Sequence, residues 1–141
     1  MRILGFSKKW DKLNKRWFER DRHTFTTFRF PRKDKDWEVE ELVQVVYKPR
    51  SKEREPLGIA RIIRKQEKDL SKKFYGFGDI CKDPDVITPA EAYEDGFSGM
   101  HGGGDIQKML DFLRESSTFE QYYRVSKVNK LILYWIEGFN G

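Results

Sequence analysis

Residues Thr24–Phe30 have the sequence TFTTFRF, which mixes aromatic side chains with threonines and contains a single charged residue. β-Branched and aromatic residues at this density predict a β-strand. In a regular strand Phe25, Thr27 and Arg29 share one face, whereas Thr24 points to the other. A basic segment precedes the strand, and the charged, turn-prone run PRKDKD follows it. We interpret this strand as one wall of a groove that binds an anion.

The positive charge of the chain is concentrated at its N-terminus. The net charge is +5, and the sequence pI is about 9.3. Residues 1–30 hold nine lysines and arginines against three acidic residues, so the rest of the chain is close to neutral. Such asymmetry is typical of proteins that bind a polyanion, most often nucleic acid. The alternative is a solvated basic face without a partner, because charge patterning alone separates these two cases poorly.

The composition predicts a soluble cytoplasmic domain without a metal or a cofactor. The chain of 141 residues suits a single domain over residues 1–141 with one core. Cys81 is the only cysteine, and His23 and His101 lie far apart, so neither an internal disulfide nor a metal site is expected. Apolar runs are too short for a membrane span or a signal peptide. A reducing cytoplasmic location is therefore expected.

The first half of the chain predicts four strands and one basic helix. The helix runs from Lys8 to about Lys15 or beyond, with the apolar stripe of Trp10, Leu13 and Trp17 on one side. That stripe is more typical of a core than of a ligand site, although Trp17 could also stack on a base. The predicted strands are Arg2–Phe6, Thr24–Phe30, Glu41–Tyr47 and Leu57–Arg64, and the last two form an antiparallel hairpin. Residues 65–73 are charged and ambiguous.

The second half predicts two helices and a closing strand. Thr88–Phe97 has a threonine at the N-cap, a proline at the first helical position and a glutamate three residues after the cap, which predicts a capping box. Gly96 suits the left-handed C-terminal position. Ile106–Leu113 carries apolar residues on one helical face. Lys130–Ile136 is apolar on both faces, which predicts a central strand that is buried on two sides. These elements predict an α+β fold, a curved antiparallel sheet or barrel with flanking helices.

Several of these segments together resemble a known family. They are the strand with Thr27 and Arg29, the return strand Gly58–Ile62 and the segment Ile87–Phe97, which is the most specific of them. Over about residues 2–137 the sequence resembles the ASCH domain family. The resemblance implies a PUA-like β-barrel, RNA binding, and a pocket between the barrel and the adjoining helices.

The resemblance also bears on catalysis, because one group in the family removes an acetyl group from modified cytidine. It uses a lysine and a threonine on the strand and a glutamate on the later helix. The threonine matches Thr27 and the glutamate matches Asp95, but Thr24 stands at the lysine position. A threonine hydroxyl needs an adjacent base to act as a nucleophile, so the replacement argues against catalysis. Glu40 occupies a position where the family usually has glycine, which would fit poorly if that backbone needs a positive φ.

Three hypotheses follow from the sequence. The first is an RNA-binding or other nucleic-acid-binding domain, whose contacts would come from Lys8, Lys9, Trp10, Lys12, Arg16 and Arg29. The second is a small hydrolase of modified nucleosides or RNA that uses Thr27 and Asp95, with a lysine such as Lys8, Lys9 or Lys12 brought in from elsewhere. The third is a regulatory domain that binds a protein partner.

Overall fold

The computed structural model describes residues 1–7, 13, 24–72, 84–97 and 104–138. These residues form five strands and three helices. The strands are β1 (Arg2–Phe6), β2 (Thr24–Arg29), β3 (Leu42–Tyr47), β4 (Glu55–Asp69) and β5 (Lys127–Gly138). The helices are α1 (Pro89–Asp95), α2 (Ile106–Glu115) and a short π-helix (Glu120–Val125). The predicted helix after Ser7 and the segment Phe74–Gly78 fall outside the described residues, apart from Leu13.

The strands form one mixed sheet in the order β1-β3-β4-β5-β2. β1 runs parallel to β3, with Arg2 opposite Val43 and Phe6 opposite Tyr47. β3 and β4 form the predicted antiparallel hairpin, with a bulge between Val45 and Val46. The α+β class is therefore confirmed, whereas the purely antiparallel sheet was wrong at the β1–β3 pair. Among the described residues the sheet is open, with β1 and β2 at its edges.

The chain forms two compact units, each assembled from separate segments. Unit one comprises residues 1–26, 37–65 and 131–141, and unit two comprises residues 27–36 and 66–130. The core of unit one is a cluster of aliphatic and aromatic side chains from all five strands together with Trp37. Within it the rings of Phe6 on β1 and Phe25 on β2 meet edge to face at 6.4 Å. The two edge strands of the sheet are therefore brought together by their side chains.

Unit two contains both α-helices and the π-helix. Met109 and Leu113 of α2 are buried, as the helical pattern predicted. The chain at Gly104 lies beside Phe97, because the N–H of the next residue, Asp105, donates to the Phe97 carbonyl at 2.9 Å. A Cβ on Gly104 would overlap the Pro89 carbonyl, so only glycine allows this close approach to the first turn of α1.

Two strand predictions differ from the structure. β4 extends through the charged residues 65–69, where the sequence was ambiguous. β5 lies between β4 and β2, so its central position is confirmed. The two-sided burial expected of it was wrong, since Leu131 and Leu133 are buried but Tyr134 and Ile136 are 40% and 48% exposed.

Among the described residues, none of the helices is long and apolar enough to cross a membrane.

Candidate anion-binding site on helix α1

Helix α1 begins and ends as the sequence predicts. The Thr88 side chain accepts a hydrogen bond from the Glu91 N–H at 3.2 Å, and the Glu91 carboxylate accepts one from the Thr88 N–H at 3.0 Å. Gly96 terminates the helix with a φ of 112°, and its N–H bonds back to the Tyr93 carbonyl at 3.1 Å. A helix of seven residues is too short to be stable alone, so its contacts within unit two must hold it.

The buried face of α1 carries two carboxylates. Glu91 and Asp95 are one turn apart and are only 8% and 7% exposed. A carboxylate removed from water is strongly destabilising unless cations or hydrogen-bond donors surround it. Both therefore require partners from the strands of unit two.

Two lysines, the buried Lys68 and the partly buried Lys130, donate hydrogen bonds to Glu91. Lys68 on β4 donates to its Oε1 at 3.0 Å, and Lys130 on β5 donates to its Oε2 at 2.6 Å. We call Lys68, Glu91 and Lys130 the lysine–glutamate cluster. The side chains of the two lysines are 4% and 11% exposed, so the cluster holds two ammonium groups against one carboxylate in a largely dry environment.

The two lysines differ in how many of their donors are used. An ammonium has three N–H donors. Lys68 has three acceptors, because it also donates to the carbonyls of Pro84 and Val86 at 2.8 and 3.3 Å. Within the described ranges, the Lys130 ammonium has Glu91 as its only acceptor. Lys68 therefore has a structural role, whereas Lys130 retains the capacity to bind another acceptor.

The pKa of Glu91 is lowered by its surroundings. Burial acts in the opposite direction and raises this pKa, but the hydrogen bonds from Lys130, Lys68 and the Thr88 N–H together outweigh it. Glu91 is thus held as a carboxylate, and its negative charge fixes the positions of both ammonium groups.

A second group of polar residues includes Asp95, the other carboxylate of α1. On β2, the Arg29 Nε donates to the Thr27 hydroxyl at 3.1 Å, as expected for side chains two residues apart on one face. Burial lowers the pKa of Arg29 to about 10, and the charge of Asp95 partly offsets that effect. We call Thr27, Arg29 and Asp95 the arginine trio. Together with the lysine–glutamate cluster it forms the α1 site, all of it within unit two.

The predicted site residues have three different outcomes. Thr27, Arg29 and Asp95 are brought together, and Thr24 is exposed, in agreement with the strand parity. Lys8, Lys9, Trp10, Lys12 and Arg16 lie outside the described residues, so their predicted contacts stay predictions. Lys68 and Lys130 were missed, and Glu91 was recognised only as a capping residue. The available signal in the sequence was only their placement, with Lys68 near the end of a charged tract and Lys130 at the start of the last strand.

Glu40 has a positive φ, the case in which a glutamate was expected to fit this position poorly. Its φ is 76°, and its N–H donates to the Ile62 carbonyl at 2.7 Å, which fixes the conformation. Most L-residues are strained there, because Cβ approaches the backbone carbonyl. The glutamate therefore stands where glycine would fit better.

The described residues include no group of histidine, cysteine, aspartate and glutamate side chains suited to hold a metal ion. A scan against protein-family models, a search of curated proteins and a search of solved structures each found no match.

Proposed function

We propose that the protein is a nucleic-acid-binding domain, with RNA as its ligand and the α1 site as the place where a phosphate is bound. The observation that carries the proposal is the Lys130 ammonium, whose side chain is 11% exposed beside Glu91 and which uses one of its three donors within the described residues. A lysine held in this way at low dielectric interacts strongly with an added anion. The basic excess of residues 1–30 supports a polyanionic ligand.

We further propose that the fold is the PUA-like barrel of the ASCH family. The contact between Phe6 and Phe25 supports it, because strong curvature of a sheet brings its edge strands together. The capped helix at Thr88–Gly96 lies in the segment that carries the resemblance most specifically, and Glu40 has a positive φ at a position where the family usually has glycine.

A salt titration of RNA binding tests the proposed function. Binding of a fluorescein-labelled single-stranded RNA should weaken steeply as salt rises, because phosphate contacts release counterions. Lys130→Gln should weaken binding and reduce the slope of log affinity against log salt by roughly 0.7. Lys127→Gln is the matched control, because Lys127 is half exposed and pairs with Glu67 at 3.3 Å. A flat salt response, or no binding at low salt, would refute the proposal.

Hydrolysis of a modified nucleoside, such as acetylated cytidine, is the second candidate function. It is favoured by Lys130, whose largely buried amine lies on β5, the strand next to β2 in the sheet order. This amine would take the role of the family lysine, which Thr24 replaces in this chain. Thr27 would be the nucleophile, but it is 4% exposed and its oxygen already accepts from Arg29. Full turnover of acetylated cytidine by Thr27→Ala would exclude this mechanism.

A further inference from the structure

An exposed aromatic cluster lies on the π-helix of unit two. Phe119, just before the helix, and Tyr123 within it are 67% and 52% exposed. Their ring centroids are 5.0 Å apart, and the Tyr122 ring meets Tyr123 at 4.9 Å with its plane steeply inclined. None of the residues Glu120–Val125 is buried. The rings therefore contribute little to the core of the unit.

The backbone under these rings is nevertheless well defined. The Thr118 N–H donates to the Gln121 side chain at 2.9 Å, and the Gln121 N–H donates to the Thr118 hydroxyl at 3.2 Å, which is a reciprocal cap. At the other end, the Ser126 N–H bonds to the Gln121 carbonyl at 3.1 Å, and the Ser126 carbonyl accepts from the Leu70 N–H at 2.7 Å. The helix thus has defined hydrogen bonds at both ends while none of its residues is buried. π-Helical turns are rare and frequently lie at functional sites.

Arg124 adds a positive charge to this surface. Its guanidinium carbon lies 6.0 Å from the centre of the Phe119 ring. In the described part of the chain Arg124 makes no ion pair, whereas the nearby Arg114 is paired with Asp111 at 3.0 Å. The surface thus combines flat aromatic faces with an arginine that is available to an anion.

We propose that Phe119, Tyr122, Tyr123 and Arg124 form a stacking platform for unpaired bases of single-stranded RNA. A nucleotide is the ligand that matches both features, since its base stacks on a ring and its phosphate pairs with a guanidinium. An apolar protein partner would use the rings but would leave Arg124 without a role. The inference rests on the proposed function and adds that the ligand is single-stranded and is bound through its bases.

Two ligands separate stacking from phosphate binding: a short fluorescein-labelled oligouridylate and an abasic oligonucleotide of the same length. The full chain should bind the oligouridylate more tightly. The double variant Phe119→Ala with Tyr123→Ala should lose about tenfold in affinity for the oligouridylate and nothing for the abasic ligand, because stacking contributes per base. Arg124→Gln should lower the salt slope by roughly 0.7 for both ligands.

Tyr93→Ala is the matched control, because Tyr93 is an exposed tyrosine, at 55%, that lies on α1 and not on the π-helix. It should bind both ligands as the unmodified chain does. Equal affinity of the unmodified chain for both ligands, or an unchanged affinity of the double variant, would overturn the platform and leave phosphate binding in place. No binding of either ligand at low salt would overturn the proposed function, and the platform with it.

Discussion

The ammonium of Lys130 lies 2.6 Å from the Oε2 of Glu91, and both side chains are only 11% exposed. The same carboxylate accepts from Lys68 through its other oxygen at 3.0 Å. One residue of α1 therefore joins the helix to β4 and β5. Glu91 serves at once as the capping residue of its helix and as the counter-charge of two lysines.

Glu91→Gln should lower the free energy of unfolding by about 3 kcal/mol, because removing one member of a buried ion pair leaves an uncompensated charge. The glutamine can still accept at the Thr88 N–H, so the loss reports the charge more than the cap. Glu94→Gln, on the exposed face of the same helix, should change stability by less than about 0.5 kcal/mol. Urea denaturation of both variants measures the difference, and equal losses would contradict the role given to Glu91.

The stability of the protein should depend on pH through the same carboxylate. The pKa of Glu91 is lower in the folded chain than its ordinary value of 4.5. A lowered pKa means that the unfolded chain binds the proton more readily. The stabilisation is therefore complete above about pH 4.5 and is lost as pH falls through the lowered folded value. In thermal unfolding between pH 7 and 3, Glu91→Gln should show a shallower decline than the unmodified chain, and parallel curves would refute this.

Helix α1 was predictable because its signals are local. The threonine cap, the proline, Glu91 and Gly96 lie within nine residues and act through bonds of one or two turns. The strands were also predictable, although the parallel β1–β3 pair was not. Apolar alternation is the same for either direction of pairing, so the sequence does not distinguish them.

The lysine–glutamate cluster was not predictable for a different reason. Lys68 lies 23 residues from Glu91 in the sequence, and Lys130 lies 39 residues from it. Their meeting depends on the strand order β4-β5-β2 and on the placement of α1 beside the sheet residues of unit two. Neither leaves a local signal, and isolated lysines normally indicate a solvated surface. The arginine trio was predicted only because the family resemblance linked β2 to the end of α1.

Glu40→Gly should stabilise the protein by about 1 kcal/mol, because a glycine removes the strain of the φ of 76°. The ion pair that the substitution removes contributes little to stability, since the Glu40 side chain is 74% exposed and its carboxylate lies 3.9 Å from Arg61. Lys33→Gly is the control in an exposed bend with an ordinary φ, and should be neutral or slightly destabilising through the unfolded chain. A lower melting temperature for Glu40→Gly would show that the strain is compensated elsewhere.

Arg29 and Asp95 should be energetically coupled. Asp95 is the last residue of α1, where the helix dipole disfavours an anion, and the last turn of the helix contains no basic residue. Arg29 supplies the opposite charge, and Asp95 in turn offsets the desolvation that lowers the pKa of Arg29 to about 10. Arg29→Met leaves the buried Asp95, and Asp95→Asn leaves the partly buried Arg29, without part of its compensation, and each should lower stability by about 2–4 kcal/mol.

A double-mutant cycle measures that coupling. The double variant of Arg29→Met with Asp95→Asn should be more stable than the sum of the single losses by about 1–3 kcal/mol, because neither charge is left without its partner. Pairing Arg29→Met with Glu94→Gln gives the control cycle, whose losses should add because Glu94 lies on the exposed face of α1. Additive losses for Arg29 and Asp95 would show that the two charges are compensated independently. The arginine trio would then no longer stand as one group.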